Sequence, residues 1–420
     1  MLRPSLHPSP NRRAVGRNLA LDLVAAVGIG VTMALVMALL PTIARRGGLE
    51  PLGLAALGSA PFIANLLGAF AGRVGPRSAF GLALMRGGGA ACLILLVIFP
   101  SPAVMVAVAI VYWLSLSLGG PFHLRLWGAM YPARVRGRVV GVLGMARAAA
   151  GAVATLAGGL VADRLGGEMA VAIAGLVGLA AAIGFAGLRS PTAERPPAYS
   201  ARGSIRAIRE RPGLAQVVLA QGFYGGGLIA AAPLVALVYV DRLDLSLADV
   251  GVLGLLAALS TTVAFLAWGA VTDRWGSLVA MRVGSLLGLA SLLALAVAPD
   301  LALLWFASIA GGIAGASIDV GIAAVISEQT SLASRAAAMA GWNAITGARG
   351  IVAAFAVSAL LQAGLVDVTT GLLLSAVPTA IGVVLFFRAR PGVPVETRAW
   401  ETVPAAVPAP SSTRPVLRAG

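Results

Sequence analysis

The 420-residue sequence contains no lysine; all 31 of its basic residues are arginine. A phosphate-binding loop of the Walker type needs its lysine, so an ATP-driven pump is not encoded here. A Schiff base to retinal or pyridoxal phosphate is excluded for the same reason. Only two histidines occur, His7 and His123, which removes H-E-x-x-H metalloprotease chemistry and any His-rich metal site. The single cysteine, Cys92, has no partner in the chain for a disulfide. Charge of either sign is scarce at 11% of residues, well under the roughly 25% of a soluble domain.

Apolar residues take up that share. They make up 59% of the chain, and the mean hydropathy is +0.93, values that fit a polytopic membrane protein. Twelve apolar runs, each close to or above the ~20 residues that cross a hydrocarbon core, are read at about 18–41, 52–72, 78–99, 103–130, 138–162, 169–187, 213–239, 247–271, 278–298, 301–327, 337–363 and 367–387. The first is too long for a signal peptide and follows a Pro-rich basic segment, so it is expected to be an uncleaved helix ending at Pro41. With the N-terminus inside, the outer loops carry only Arg45, Arg46, Arg164 and Arg242, and most other arginines fall on the cytoplasmic side. That asymmetry predicts cytoplasmic termini and turns the net charge of +15 into a topology signal and a contact with anionic lipid, not nucleic acid.

Irregularities punctuate the runs. Gly119-Gly120-Pro121 and Pro233 predict kinks in the fourth and seventh. The chain divides into an N-terminal segment (1–17), a six-helix bundle (18–188), a basic linker (189–212), a second six-helix bundle (213–388) and a disordered tail (389–420). The end of the linker, Ser204 to Pro212, is patterned as an amphipathic helix at the membrane surface.

One stretch occurs twice. Gly68-Ala-Phe-Ala-Gly72-Arg73-Val-Gly75-Pro-Arg77 recurs as Gly269-Ala-Val-Thr-Asp273-Arg274-Trp-Gly276-Ser-Leu278, at equivalent places in the two halves, which marks an internal duplication. It resembles the loop signature G-x-L-a-D-R-x-G-R-R of the major facilitator superfamily, with Gly72 in place of the aspartate in the first copy. The resemblance implies an all-α membrane fold of twelve helices in two pseudo-symmetric bundles, working as a secondary transporter by alternating access. It also implies gating by Gly68, Arg73, Gly75, Gly269, Asp273, Arg274 and Gly276. Gly269 is expected at a close helix approach, and Asp273 is expected to face the start of the fifth run near Val139, with Arg335 close by. Two further motifs of proton-coupled drug exporters depart from the family pattern: the fourth run has no arginine before Arg125, and Thr155 stands where the fifth run would carry proline.

Charges inside the runs are expensive, so each is expected to face the interior or to snorkel. Arg86 and Arg282, near the inner loops, are expected to snorkel to phosphates. Arg147 and Arg349 occupy matching runs and are expected at the cavity; Trp342, Thr346 and Arg349 share one helix face. Asp319 in the tenth run is the candidate proton carrier, with Arg349 or Arg147 as its partner, against the alternative of a permanent structural ion pair. His123 and Tyr224 are weaker candidates. Asp22 is read as a first-turn helix charge. The expected function is proton-coupled export of a small organic or amphipathic compound by a monomer in the plasma or inner membrane, without cofactor or metal. The alternatives are an importer or facilitator with the same cavity, or a non-transporting sensor that keeps the fold. An intramembrane aspartyl protease built on Asp22 and Asp319 lacks the G-x-G-D context it needs.

Overall fold

The computed structural model describes residues 12–68, 75–188 and 201–390. In chain order its helices are α1 (Arg12–Ala38), α2 (Leu40–Arg46), α3 (Pro51–Gly68), α4 (Ala79–Ile98), α5 (Pro102–Met130), α6 (Ala133–Leu165) and α7 (Gly167–Ala186), then the connector helix α8 (Ala201–Arg209). The second half holds α9 (Pro212–Leu237), α10 (Leu247–Trp275), α11 (Ser277–Val297), α12 (Leu301–Gln329), α13 (Leu332–Gln362) and α14 (Val368–Arg388). Twelve helical segments are long and apolar enough to span a membrane, with α1 and α2 together forming the first. The chain is a multi-pass membrane protein. With no water available in a bilayer core, helices are the way for such runs to satisfy their backbone polar groups internally.

Short polar residues set the helix starts. Ser78 accepts from Gly81 N at 2.9 Å, Asp300 from Leu303 N at 3.2 Å and Asp367 from Thr370 N at 2.7 Å. Ser246 and Asp249 form a reciprocal capping box before α10. Gly276 alone turns α10 into α11, at φ +89°, a conformation that an L side chain strains to adopt.

One sequence expectation changes here. The first span does not end at Pro41: the chain breaks its helix at Leu39, and Pro41 sits in the opening turn of α2, where its missing N–H costs nothing, so the span runs on to Arg46. Helix α5 runs through Pro121 without interruption. Helix α9 likewise contains Pro233 and passes into a π-helical turn at Val238–Arg242. The N-terminal segment up to residue 11, linker residues 189–200 and the tail from 391 lie outside the described residues.

Within the first half α1 packs on α6 and α7, α5 on α3 and α4, and α4 on α7; within the second, α9 packs on α13 and α14, α12 on α10 and α11, and α11 on α14. The two sets map onto each other helix for helix, so the bundles are pseudo-symmetric. Two seams join them, α6 against α10 and α3 against α13, and the same mapping exchanges these seams.

The apolar core shows how the halves meet. At the end away from the termini, one continuous cluster draws on both halves, from Leu35, Leu54 and Val171 to Leu234, Leu253 and Leu372. At the terminal end two separate clusters replace it, one around Leu82, Phe122 and Phe185, the other around Leu214, Met281 and Phe386. The bundles therefore touch at the far end and part toward the termini.

Candidate functional site

Small residues let the far ends of α6 and α10 close up. A Cβ on Gly159 would lie 2.4 Å from the Leu247 carbonyl oxygen, and one on Gly251 2.6 Å from that of Thr155, so neither position has room for a side chain. Polar ties finish this end. The Asp163 carboxylate accepts from Leu247 N and Ala248 N, each at 2.9 Å, and so caps α10 across the interface. Arg45 pairs with Asp241 at 2.8 Å, and Arg46 donates to the Leu245 carbonyl. Gln362 donates to Glu50 at 2.8 Å and accepts from Leu52 N at 2.9 Å.

The terminal end differs. Gly269, expected at a close helix approach, has nothing within 4 Å of where a side chain would begin, and the same holds for Gly137, Gly141 and Gly144 on α6. Asp273 is exposed and, among the described residues, makes no hydrogen bond or ion pair. Arg335, expected beside it, instead donates to the Ser327 carbonyl at 2.9 Å, the counterpart of Arg136 donating to Gly128 at 2.8 Å in the first half. Gly269 has no close neighbour because the α6–α10 seam is open at this end, whereas Arg335, on α13 of the same half as Asp273, is held by its own backbone contact. Arg274 lies over the Trp275 ring at 5.2 Å. Gly68 makes ordinary contact with Ser117, Gly75 lies in the turn before α4, and Arg73 lies outside the described residues.

Between these ends a cavity of about 270 Å³ opens in the second half, with Phe62 of the first half in its wall. Gln221 and Tyr224 of α9, Asp319 of α12 and Thr346 and Arg349 of α13 all line it. Gln221 Oε1, the Tyr224 hydroxyl, Thr346 Oγ1 and Arg349 Nε are buried without a hydrogen-bond partner. Buried polar groups are nearly always paired, so several orphans on residues lining one cavity mark a place where a ligand supplies the partners once the side chains turn to it. Arg349 is held in position for such a ligand. It donates to the Gln221 carbonyl through Nη1 and lies 6.0 Å over the Trp342 ring. Trp342, Thr346 and Arg349 thus act from one helix face. Asp319 shares the cavity with Arg349 but pairs with no side chain among the described residues.

Arg147 is not its partner. It stands on α6, where its backbone packs against Gly30, and its charge acts on Arg86 and His123 of the first half. There the structure builds a second polar cluster. His123 lies 3.0 Å from Arg86 through Nδ1 and 3.1 Å from Asp22 through Nε2. Arginine only donates, so Nδ1 is the acceptor, Nε2 carries the proton and the imidazole is neutral. Trp127 Nε1 and the Tyr131 hydroxyl also donate to Asp22, at 2.7 and 3.1 Å. Asp22 is therefore no first-turn charge: it lies ten residues into α1, 1% exposed. Arg86 does not snorkel, because His123 and the Phe185 ring hold it inside. Arg282 does not reach for phosphate either, but donates to the Phe386 and Ala389 carbonyls at 3.1 and 2.8 Å and closes the end of α14.

A bilobed bundle of twelve spans, closed at one end and polar at its waist, is now in view, and a family model makes it specific. The Major Facilitator Superfamily model matches residues 23–298 and 217–419. The chain belongs to the major facilitator superfamily. Solved structures agree on the fold. A mutant form of the nucleoside transporter NupG superposes with a TM-score of 0.72 at 16% identity, covering 89% of this chain and 99% of that one. A bacterial homolog of the human lysosomal transporter Spinster, inward-facing and unoccupied, gives 0.67 at 14%, covering 90% and 97%. An auto-inhibited peptide transporter of the POT family gives 0.67 at 13%, covering 90% and 96%. No curated protein matches the sequence. As a major facilitator the protein is a transporter of a small molecule, and among its described residues no three His, Cys, Asp or Glu side chains gather to hold a metal ion.

Proposed function

We propose that this transporter exports a small organic compound in exchange for protons, and that the cavity around Arg349 and Asp319 is its binding site. The observation that carries the reading is the set of unpartnered buried polar atoms on residues that line that one cavity. The arginine distribution supports cytoplasmic termini in a plasma or inner membrane, with the basic inner face against anionic lipid. In that orientation the structure is the inward-facing state: the far-end ties form the outer gate, and Asp273 forms its inner counterpart only once the terminal ends close. The rocking halves and the site both lie within one chain, so a monomer suffices.

Asp319 is the proposed proton carrier. A carboxylate in the membrane interior with no fixed cation beside it changes its protonation when water access alternates between the two faces. In proteoliposomes a pH gradient should drive flux in the wild type. Asp319→Asn should abolish the gradient-driven component while leaving counterflow at saturating substrate. Wild-type flux indifferent to the gradient, or an unaffected variant, would overturn the proton assignment.

A further inference from the structure

The cavity holds one group of each sign, and the two do not meet. Asp319 is exposed to this space and makes no hydrogen bond or ion pair among the described residues, and Arg349, which lines the same space, keeps Nε buried and unpartnered. Ionised groups at this depth are costly unless something offsets them, and among the described residues neither is paired with an opposite charge. A ligand with a single charge would relieve one and leave the other bare. From this juxtaposition we infer that the transported compound is a small zwitterion, its anionic group received by Arg349 and its cationic ammonium by Asp319.

The rest of the lining fits that division. Thr346 Oγ1 is one helical turn before Arg349 on α13 and adds a donor for an anionic oxygen. Gln221 Oε1 is an acceptor without a donor, as an ammonium with several N–H groups requires. Phe62, Leu228, Ile229 and Ile318 give apolar wall for a hydrocarbon body. At about 270 Å³ the space lies below the ~300–1,000 Å³ common for drug-sized ligands, so the compound has amino-acid dimensions. The inference rests on the transport reading for its site. It concerns occupancy of the cavity, so it is tested by binding, separately from flux.

The test uses purified full-length protein and three isosteric sets: leucine, phenylalanine and glycine betaine as zwitterions, their deaminated carboxylic acids, and their decarboxylated amines. Binding is read by thermal stabilisation and by isothermal titration. The wild type is expected to bind at least one zwitterion more tightly than both of its singly charged counterparts. Asp319→Asn should weaken that zwitterion by roughly 10- to 100-fold while the carboxylic acid is retained, and Arg349→Gln should do the same while the amine is retained. A wild type that binds no zwitterion of the panel, or prefers either singly charged set, overturns the inference. So does a pair of variants that lose acid and amine alike. Zwitterion binding without counterflow of the same compound would uphold the ligand class and sink the transport reading instead.

Discussion

Replacing Asp163 by alanine removes a carboxylate that caps a helix of the opposite bundle. Its carboxylate accepts from Leu247 N and Ala248 N at 2.9 Å each, at the positive end of α10. Losing an N-cap costs about 0.5–2 kcal/mol, and a charge at a solvent-facing helix end is worth about 0.3–1 kcal/mol. These figures describe one interaction and do not add. The Asp163 side chain is exposed, so we take about 1 kcal/mol, which shifts the balance between closed and open far ends about fivefold. The Arg45–Asp241 pair is also solvent-facing, at 26% and 38% side-chain exposure, and belongs to the class of ion pairs worth ~0–1 kcal/mol, so Arg45→Gln should shift it less. The assay is double electron–electron resonance between spin labels at Leu165 and Leu365, both exposed at the far end in different halves, in a Cys92→Ser background. The longer-distance population should rise about fivefold in Asp163→Ala. An unchanged distribution, or a larger effect from Arg45→Gln, would refute the assignment of Asp163 as the main latch.

Further expectations concern packing and the two polar clusters. Gly159→Ala drives a Cβ to 2.4 Å from the Leu247 carbonyl, so it should open the same end at a cost of about 1–3 kcal/mol and, in the same resonance experiment, combine less than additively with Asp163→Ala. Gly288→Ala places its Cβ 1.9 Å from the Tyr224 hydroxyl; the ring must turn from the cavity, and ligand affinity in equilibrium binding should fall while the thermal unfolding midpoint hardly moves. Asp22→Asn leaves Arg86 buried without its counter-charge and offers an amide to Trp127 and Tyr131, which also donate. It should cost about 3–5 kcal/mol, seen as a lower unfolding midpoint in detergent, and an unaltered midpoint would show that the cluster is not structural.

The spans were legible because a membrane helix is written locally: about twenty apolar residues, then a Ser or Asp cap. The pairing of the halves was legible because a repeat shows itself in the sequence. What was not legible depends on residues far apart in the chain. Arg86 reads as a snorkelling residue until His123, 37 residues on, is brought to its guanidinium. Asp22 reads as a helix-end charge because the sequence does not show that α1 begins at Arg12. The Asp163 cap joins residues 84 apart across two bundles, and nothing in its own neighbourhood announces it. For Asp273 and Gly269 the motif was recognised, but their partners are apart in this structure because the terminal ends are open. Thr155, noted only as a missing proline, turns out to present its carbonyl to Gly251 in the closed seam.

The central claim, that one waist-level cavity opens alternately to the two faces, is tested most directly at Gly315. It lines the cavity, and a side chain there meets nothing within 4 Å, so Gly315→Cys in the Cys92→Ser background fits without strain. Sealed vesicles of each orientation would be treated with a membrane-impermeant thiol reagent. The account predicts modification from the terminal face, slower modification from the far face, and about a fivefold gain at the far face when Asp163→Ala is added. A thiol modified from one face only, at a rate that Asp163→Ala leaves unchanged, would contradict it.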